Sequence, residues 1–145
     1  SLNLAKKKKK TASSSSKLAL AFVASLLTLL VLDGLWINVV SKPLGFDYFG
    51  TVKRIQGGAE VAKRPLGLLA YLSMAASCAR SAESRGGGAL AAAETGFYIY
   101  SIYDLTNTFL FEGWSPALTL MDIAWGTSVF GVAGAVATAA VAAAF

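Results

Sequence analysis

The chain has 145 residues, of which 55% are hydrophobic and 14% charged, with a net charge of +5 and a mean hydropathy of +0.58. A soluble domain carries about a quarter charged residues, so this composition points to a single-domain membrane protein. Histidine is absent and Cys78 is the single cysteine, which excludes most zinc, copper and haem sites, any internal disulfide, and the Ser-His-Asp and Cys-His catalytic sets.

Residues 1–17 hold five consecutive lysines, Lys6 to Lys10, and a serine run, Ser13 to Ser16, with no acid. An acid-free tail rich in Ser and Lys is compatible with the remnant of an organelle transit peptide, and its lack of arginine favours plastid over mitochondrion. The positive charge lies mainly in this tail and in one loop, both beside apolar segments. Anionic lipid or an acidic protein surface is therefore the expected partner, and nucleic acid is not.

The first apolar span is 18–40, with Asp33 as its only charge. Its helical register puts Leu26, Leu29, Leu30, Asp33, Trp36 and Ile37 on one face. Residues 41–64 form a polar connection in which Phe46, Tyr48 and Phe49 read as an interfacial aromatic anchor and 51–63 as a short surface helix. Pro65 opens a second span, 65–82, rich in Ala and Ser and suited to bordering protein. After the flexible Gly86-Gly87-Gly88 turn comes the third span, 89–111, and after Pro116 the fourth, 116–144. Thr127, Gly131, Ala135 and Ala139 recur there at every fourth position and predict a ridge for close helix packing. The expected fold is all-α, an integral membrane four-helix bundle of 18–145 behind the basic tail.

Four spans put both termini on one side. Eight basic residues there, against five in the first connection, favour the stroma or matrix for both ends.

The informative residues are the acids. Burying a carboxylate at mid-helix costs about 2.5 to 3.5 kcal/mol on insertion scales, so an intramembrane acid is expected to face a partner or a site. Asp33, Asp104 and Asp122 each lie six or seven residues from the same ends of their spans, which predicts one level about 10 Å below the outer face. No lysine or arginine is available in the spans at that level. Trp36, Trp125, Tyr103, Thr106 and Asn107, with Tyr100, Thr108 and Thr119, are the candidate donors. Such a cluster serves either as hydrogen-bond glue between helices or as a proton relay or cation site. The repeated Asp33-Gly34-Leu35-Trp36 and Asp122-Ile123-Ala124-Trp125 reads either as an internal repeat or as coincidence.

Leu32-Asp33-Gly34-Leu35-Trp36, Tyr103-Asp104-Leu105-Thr106-Asn107 and Leu120-Met121-Asp122-Ile123-Ala124-Trp125-Gly126 together resemble a family of small predicted membrane proteins, domain of unknown function 2177. The resemblance implies four helices and no established activity. The basic leader, the enlarged first connection, Glu94 and the Ala-rich end depart from that family and look like adaptations for docking.

These features lead to the expectation of a non-catalytic accessory subunit of a large organelle membrane complex. A photosystem-antenna assembly in the thylakoid is favoured over a complex of the mitochondrial inner membrane. Other membrane subunits and lipids would be its partners. No intrinsic cofactor or metal is expected, but chlorophyll, carotenoid or lipid could lie at its interfaces, with Asn107 or Glu94 as a non-histidine pigment ligand. The alternative is a small proton- or cation-coupled transporter using Asp33, Asp104 and Asp122.

Overall fold

Helix follows helix along the chain. The computed structural model describes residues 2–58, 64–84 and 87–145, and side chains from Ser14 onward apart from residues 64 and 84. Helix α1 runs Leu2–Leu35 and continues as a π-helical turn over Trp36–Val40; α2 is Tyr48–Ile55, α3 Arg64–Ser84, α4 Gly88–Leu110 and α5 Pro116–Ala144. There is no strand among the described residues. The basic stretch therefore continues the α1 backbone, while the side chains of Lys6 to Lys10, and Arg85, lie outside the described residues.

Local chemistry sets the ends of these helices. Ser115 caps α5, its hydroxyl accepting from the Leu118 amide at 3.4 Å, with Pro116 in the first turn. Asp47 caps α2 in the same way, accepting from the Gly50 amide at 3.1 Å, so the short helix begins earlier than the 51–63 expected from sequence. Gly57 and Gly58, at φ +70° and +88°, then end it; residues 59–63 lie outside the described residues.

Helices α4 and α5 pack antiparallel along two ridges of mostly small residues, each stepping four positions. A Cβ on Gly134 would lie 2.4 Å from the Ala92 Cβ, one on Gly96 2.6 Å from the Phe130 Cβ, and one on Gly126 2.1 Å from the Tyr100 ring. Gly88 meets Thr138 beyond these, and Thr108 meets Thr119 at the other end at 2.5 Å. The α5 ridge is thus Asp122, Gly126, Phe130, Gly134 and Thr138, not the one read from sequence. Gly131 touches Ala93 and Thr127 is half-buried, but Ala135 and Ala139 are exposed. In an Ala-rich helix every four-residue register offers small side chains. The glycines opposite Tyr100 and Ala92 decide which one makes contact.

Helix α1 lies on α5 and α3 through Ala21, Ser25, Leu29 and Asp33, a buried stripe at every fourth residue. The core is Leu29, Ala75, Cys78, Ala92, Val129, Phe130 and Ala133, with a smaller cluster of Ala21, Ala79, Ala137 and Val141 toward the far end. The interior also takes in Ser25, Asp33, Ser41, Asp104, Thr119 and Asp122, whereas Phe109, Leu90, Leu120 and Ile102 point outward at 86, 80, 71 and 70% exposure. This is the reverse of a soluble protein, in which large apolar chains go inside. Among the described residues two stretches, 14–40 and 116–144, are long and apolar enough to cross a membrane.

Candidate functional site

Asp33 sits where α1 ends, and its carboxylate collects donors from three other helices. Trp125 on α5 donates its indole N–H to Oδ1 at 2.7 Å, and Tyr100 on α4 donates its hydroxyl to Oδ2 at 3.2 Å. The hydroxyl of Tyr71 on α3 also faces this carboxylate. Each such bond contributes about 1 kcal/mol, and here each also ties a different helix to α1. Directly after Asp33 the backbone widens into the π turn, where the Ser41 amide reaches back five residues to the Trp36 carbonyl at 2.8 Å. Trp36, at the first position of this turn and three residues after Asp33, lies on Trp125. The two indoles stack at 4.6 Å with 7° between their planes.

Asp104 and Asp122 form a second station one step along the α4–α5 ladder. Asp104 is fully buried and Asp122 is 8% exposed; the Asp104 carboxyl faces both Asp122 and the buried indole of Trp114. Neither oxygen of Asp104 nor the Trp114 N–H completes a hydrogen bond of ordinary geometry. Below, Thr108 donates to the Asp104 carbonyl at 2.8 Å. The ladder register brings these carboxyls together, because Tyr100 opposite Gly126 dictates that Asp104 lies opposite Asp122.

Helix α2 lies across this end of the bundle. Its Tyr48 hydroxyl pairs with that of Tyr103, and both rings meet Trp114 edge-on at 5.6 and 6.2 Å. Burial and the facing Tyr103 raise the Tyr48 phenol pKa above its ordinary value. On the other side Ile55 packs where a Cβ on Gly113 would stand, 3.0 Å away.

Beneath α2 is a partly open cavity of about 720 Å³. Asp33 and Asp122 contribute to its wall, together with the rings of Trp36, Trp125, Tyr71, Tyr100, Tyr103, Tyr48, Phe46 and Phe49. Residues of α3 from Gly67 to Ser77 close it opposite α4 and α5. Further down, α3 and α4 are pinned together by the Ser81 and Thr95 hydroxyls at 2.6 Å. Among the described residues no lysine or arginine lines the cavity. A volume of this size is typical of sites for drug-sized ligands.

The residues expected at the acidic level divide accordingly. Asp33, Trp36, Trp125 and Asp122 share the cavity wall, Asp104 backs Asp122, and Tyr103 belongs to the contact with α2. Thr106 is exposed and lies outside the cluster. Asn107 is half-buried with its amide nitrogen unpaired, and Glu94 is exposed and accepts from Tyr98 at 3.2 Å; neither borders the cavity. The three acids are therefore a facing pair, Asp104 and Asp122, with Asp33 beside Asp122 and separately satisfied. No group of three carboxylates among the described residues stands close enough to hold a metal ion. Sequence reasoning missed Tyr71 and Trp114. The signal for Tyr71 was its position as the one ring of α3 with a hydroxyl.

A family model described as "Predicted membrane protein (DUF2177)" matches residues 18–140. No curated protein and no solved structure matches the chain.

Proposed function

The chain belongs to the DUF2177 family of predicted membrane proteins, and from that premise we propose that it crosses the bilayer four times and binds an amphiphilic small molecule in the cavity beneath α2, without catalysing a reaction. The shortest of its four long helices has 21 residues, about 30 Å at 1.5 Å per residue and a match to the hydrocarbon core. The inverted distribution of side chains supports this reading. Leaving Phe109, Leu90, Leu120 and Ile102 in water would forgo about 1.5 to 3 kcal/mol each, whereas acyl chains would cover them. With four passes both termini share one side, read as stromal or matrix, and α2 lies on the other.

The observation that carries the binding reading is the cavity itself, a large apolar space with carboxyl groups from two helices in its wall. Acids serving only as interhelical glue need no such space. The experiment is native mass spectrometry of the protein extracted from its own membrane in mild detergent. A bound small molecule is expected on the wild type and is expected to be absent from Ala70→Trp, which fills the α3 wall. A bare wild-type chain refutes the reading.

A second reading, an accessory subunit of a photosystem-antenna assembly or, second, a respiratory complex, is favoured by the outer face of α5. Ala135, Ala139, Val132 and Val136 are exposed there, and small side chains admit a neighbouring helix closely. Isolation of the native chain alone at monomer size argues against it.

A further inference from the structure

The charge of the cavity wall narrows what it would accept. We infer that the cavity selects lipophilic cations, with Asp122 as the counter-charge and the rings of Trp36, Tyr48 and Tyr71 as the surfaces on which the cation rests. This inference rests on the cavity-binding reading above.

Three observations carry it. First, among the described residues the wall contains two carboxyl groups and no lysine or arginine, so an anionic head would meet like charge there. Second, three of the wall's donors that could have served an anion are turned to Asp33 instead. The Trp125 indole and the Tyr100 hydroxyl donate to Asp33, and the Tyr71 hydroxyl faces it. Asp33 therefore acts as a positioning residue for Trp125, Tyr100 and Tyr71, three of the rings in the cavity wall. Third, Asp122 faces a carboxyl, not a basic group, and it borders the cavity directly. Aromatic faces attract cations within about 6 Å of the ring centre, more strongly when water is excluded. A carboxylate behind such rings adds net charge to their quadrupoles.

The test uses two probes of one size and shape and opposite charge, tetraphenylphosphonium and tetraphenylborate. Because the two share their apolar surface, simple partitioning does not favour the phosphonium. Binding to the purified full chain in detergent is measured by calorimetry. The phosphonium is expected to bind at least tenfold more tightly than the borate, and Asp122→Asn is expected to remove most of that preference while circular dichroism shows the fold intact. Equal binding of the two ions, or tighter binding of the borate, overturns cation selection and leaves the cavity as a binding site. Binding of neither ion by the folded wild type overturns both this inference and the reading beneath it. An unchanged preference in folded Asp122→Asn overturns the role of Asp122. The comparison of the two ions on the unaltered protein stands even where the variant does not fold.

Discussion

Replacing Gly126 by alanine adds one methyl group at the tightest point of the α4–α5 crossing. The added Cβ would lie 2.1 Å from the nearest Tyr100 ring atom, where two carbons prefer about 3.5 to 4.0 Å. Either the helices move apart by more than an ångström or the Tyr100 ring swings away. Separation loosens the neighbouring contacts of Gly96 with Phe130 and of Gly134 with Ala92; swinging breaks the hydrogen bond from Tyr100 to Asp33. Overpacking a tight contact costs about 1 to 3 kcal/mol, and loss of the hydrogen bond about 1 kcal/mol. Because the two responses are alternatives, the predicted destabilisation is about 1 to 3 kcal/mol. The matched control is Gly34→Ala, where nothing lies within 4 Å of the new Cβ and the helix gains about 0.5 to 1 kcal/mol. Reversible unfolding in a titration of denaturing detergent, followed by circular dichroism, compares the two. Gly126→Ala as stable as Gly34→Ala would refute the packing argument.

Asp33→Leu strands donors on three helices, each at about 1 to 3 kcal/mol, so it should unfold far more readily than Asp33→Asn, which keeps one acceptor oxygen; the same detergent titration measures both. Ala133 is fully buried and Ala135 exposed, so Ala133→Leu should cost about 1 to 3 kcal/mol and Ala135→Leu less than about 0.5. Similar midpoints for these two would restore the ridge expected from sequence. Cys78 is fully buried in the core, so a maleimide should label it slowly in the folded protein and rapidly in the unfolded one.

Much of the architecture is legible in the sequence because apolar length and local punctuation act locally. Ser115 and Pro116 open α5, and Asp33, Asp104 and Asp122, deep in their apolar stretches, face inward, whereas Glu94 near the start of α4 does not. The partners of those acids are not legible in this way. Asp33 takes its donors from three other helices, and helix rotation, which no single segment encodes, decides that Tyr71 and Trp125 reach it while Thr106 turns outward. The contact ridge of α5 was misplaced for a related reason. Ala135 and Ala139 suit close packing as well as Ala133 and Ala137 do, and the α4 surface chooses between them. The cavity is lined by residues of the π turn after Asp33 and of α3 and α4, which meet through Ser81 and Thr95 further down, and neither the turn nor that gap has a signature in residue spacing.

Nitroxide scanning of residues 118 to 128 in lipid vesicles tests most directly whether this chain keeps its polar side inward and its apolar side in lipid. Collision with oxygen should peak at Leu120, Ala124 and Ser128 and fall to a minimum at Asp122 and Gly126, following burial along α5. An even profile, or maxima at Asp122 and Gly126, would contradict the account.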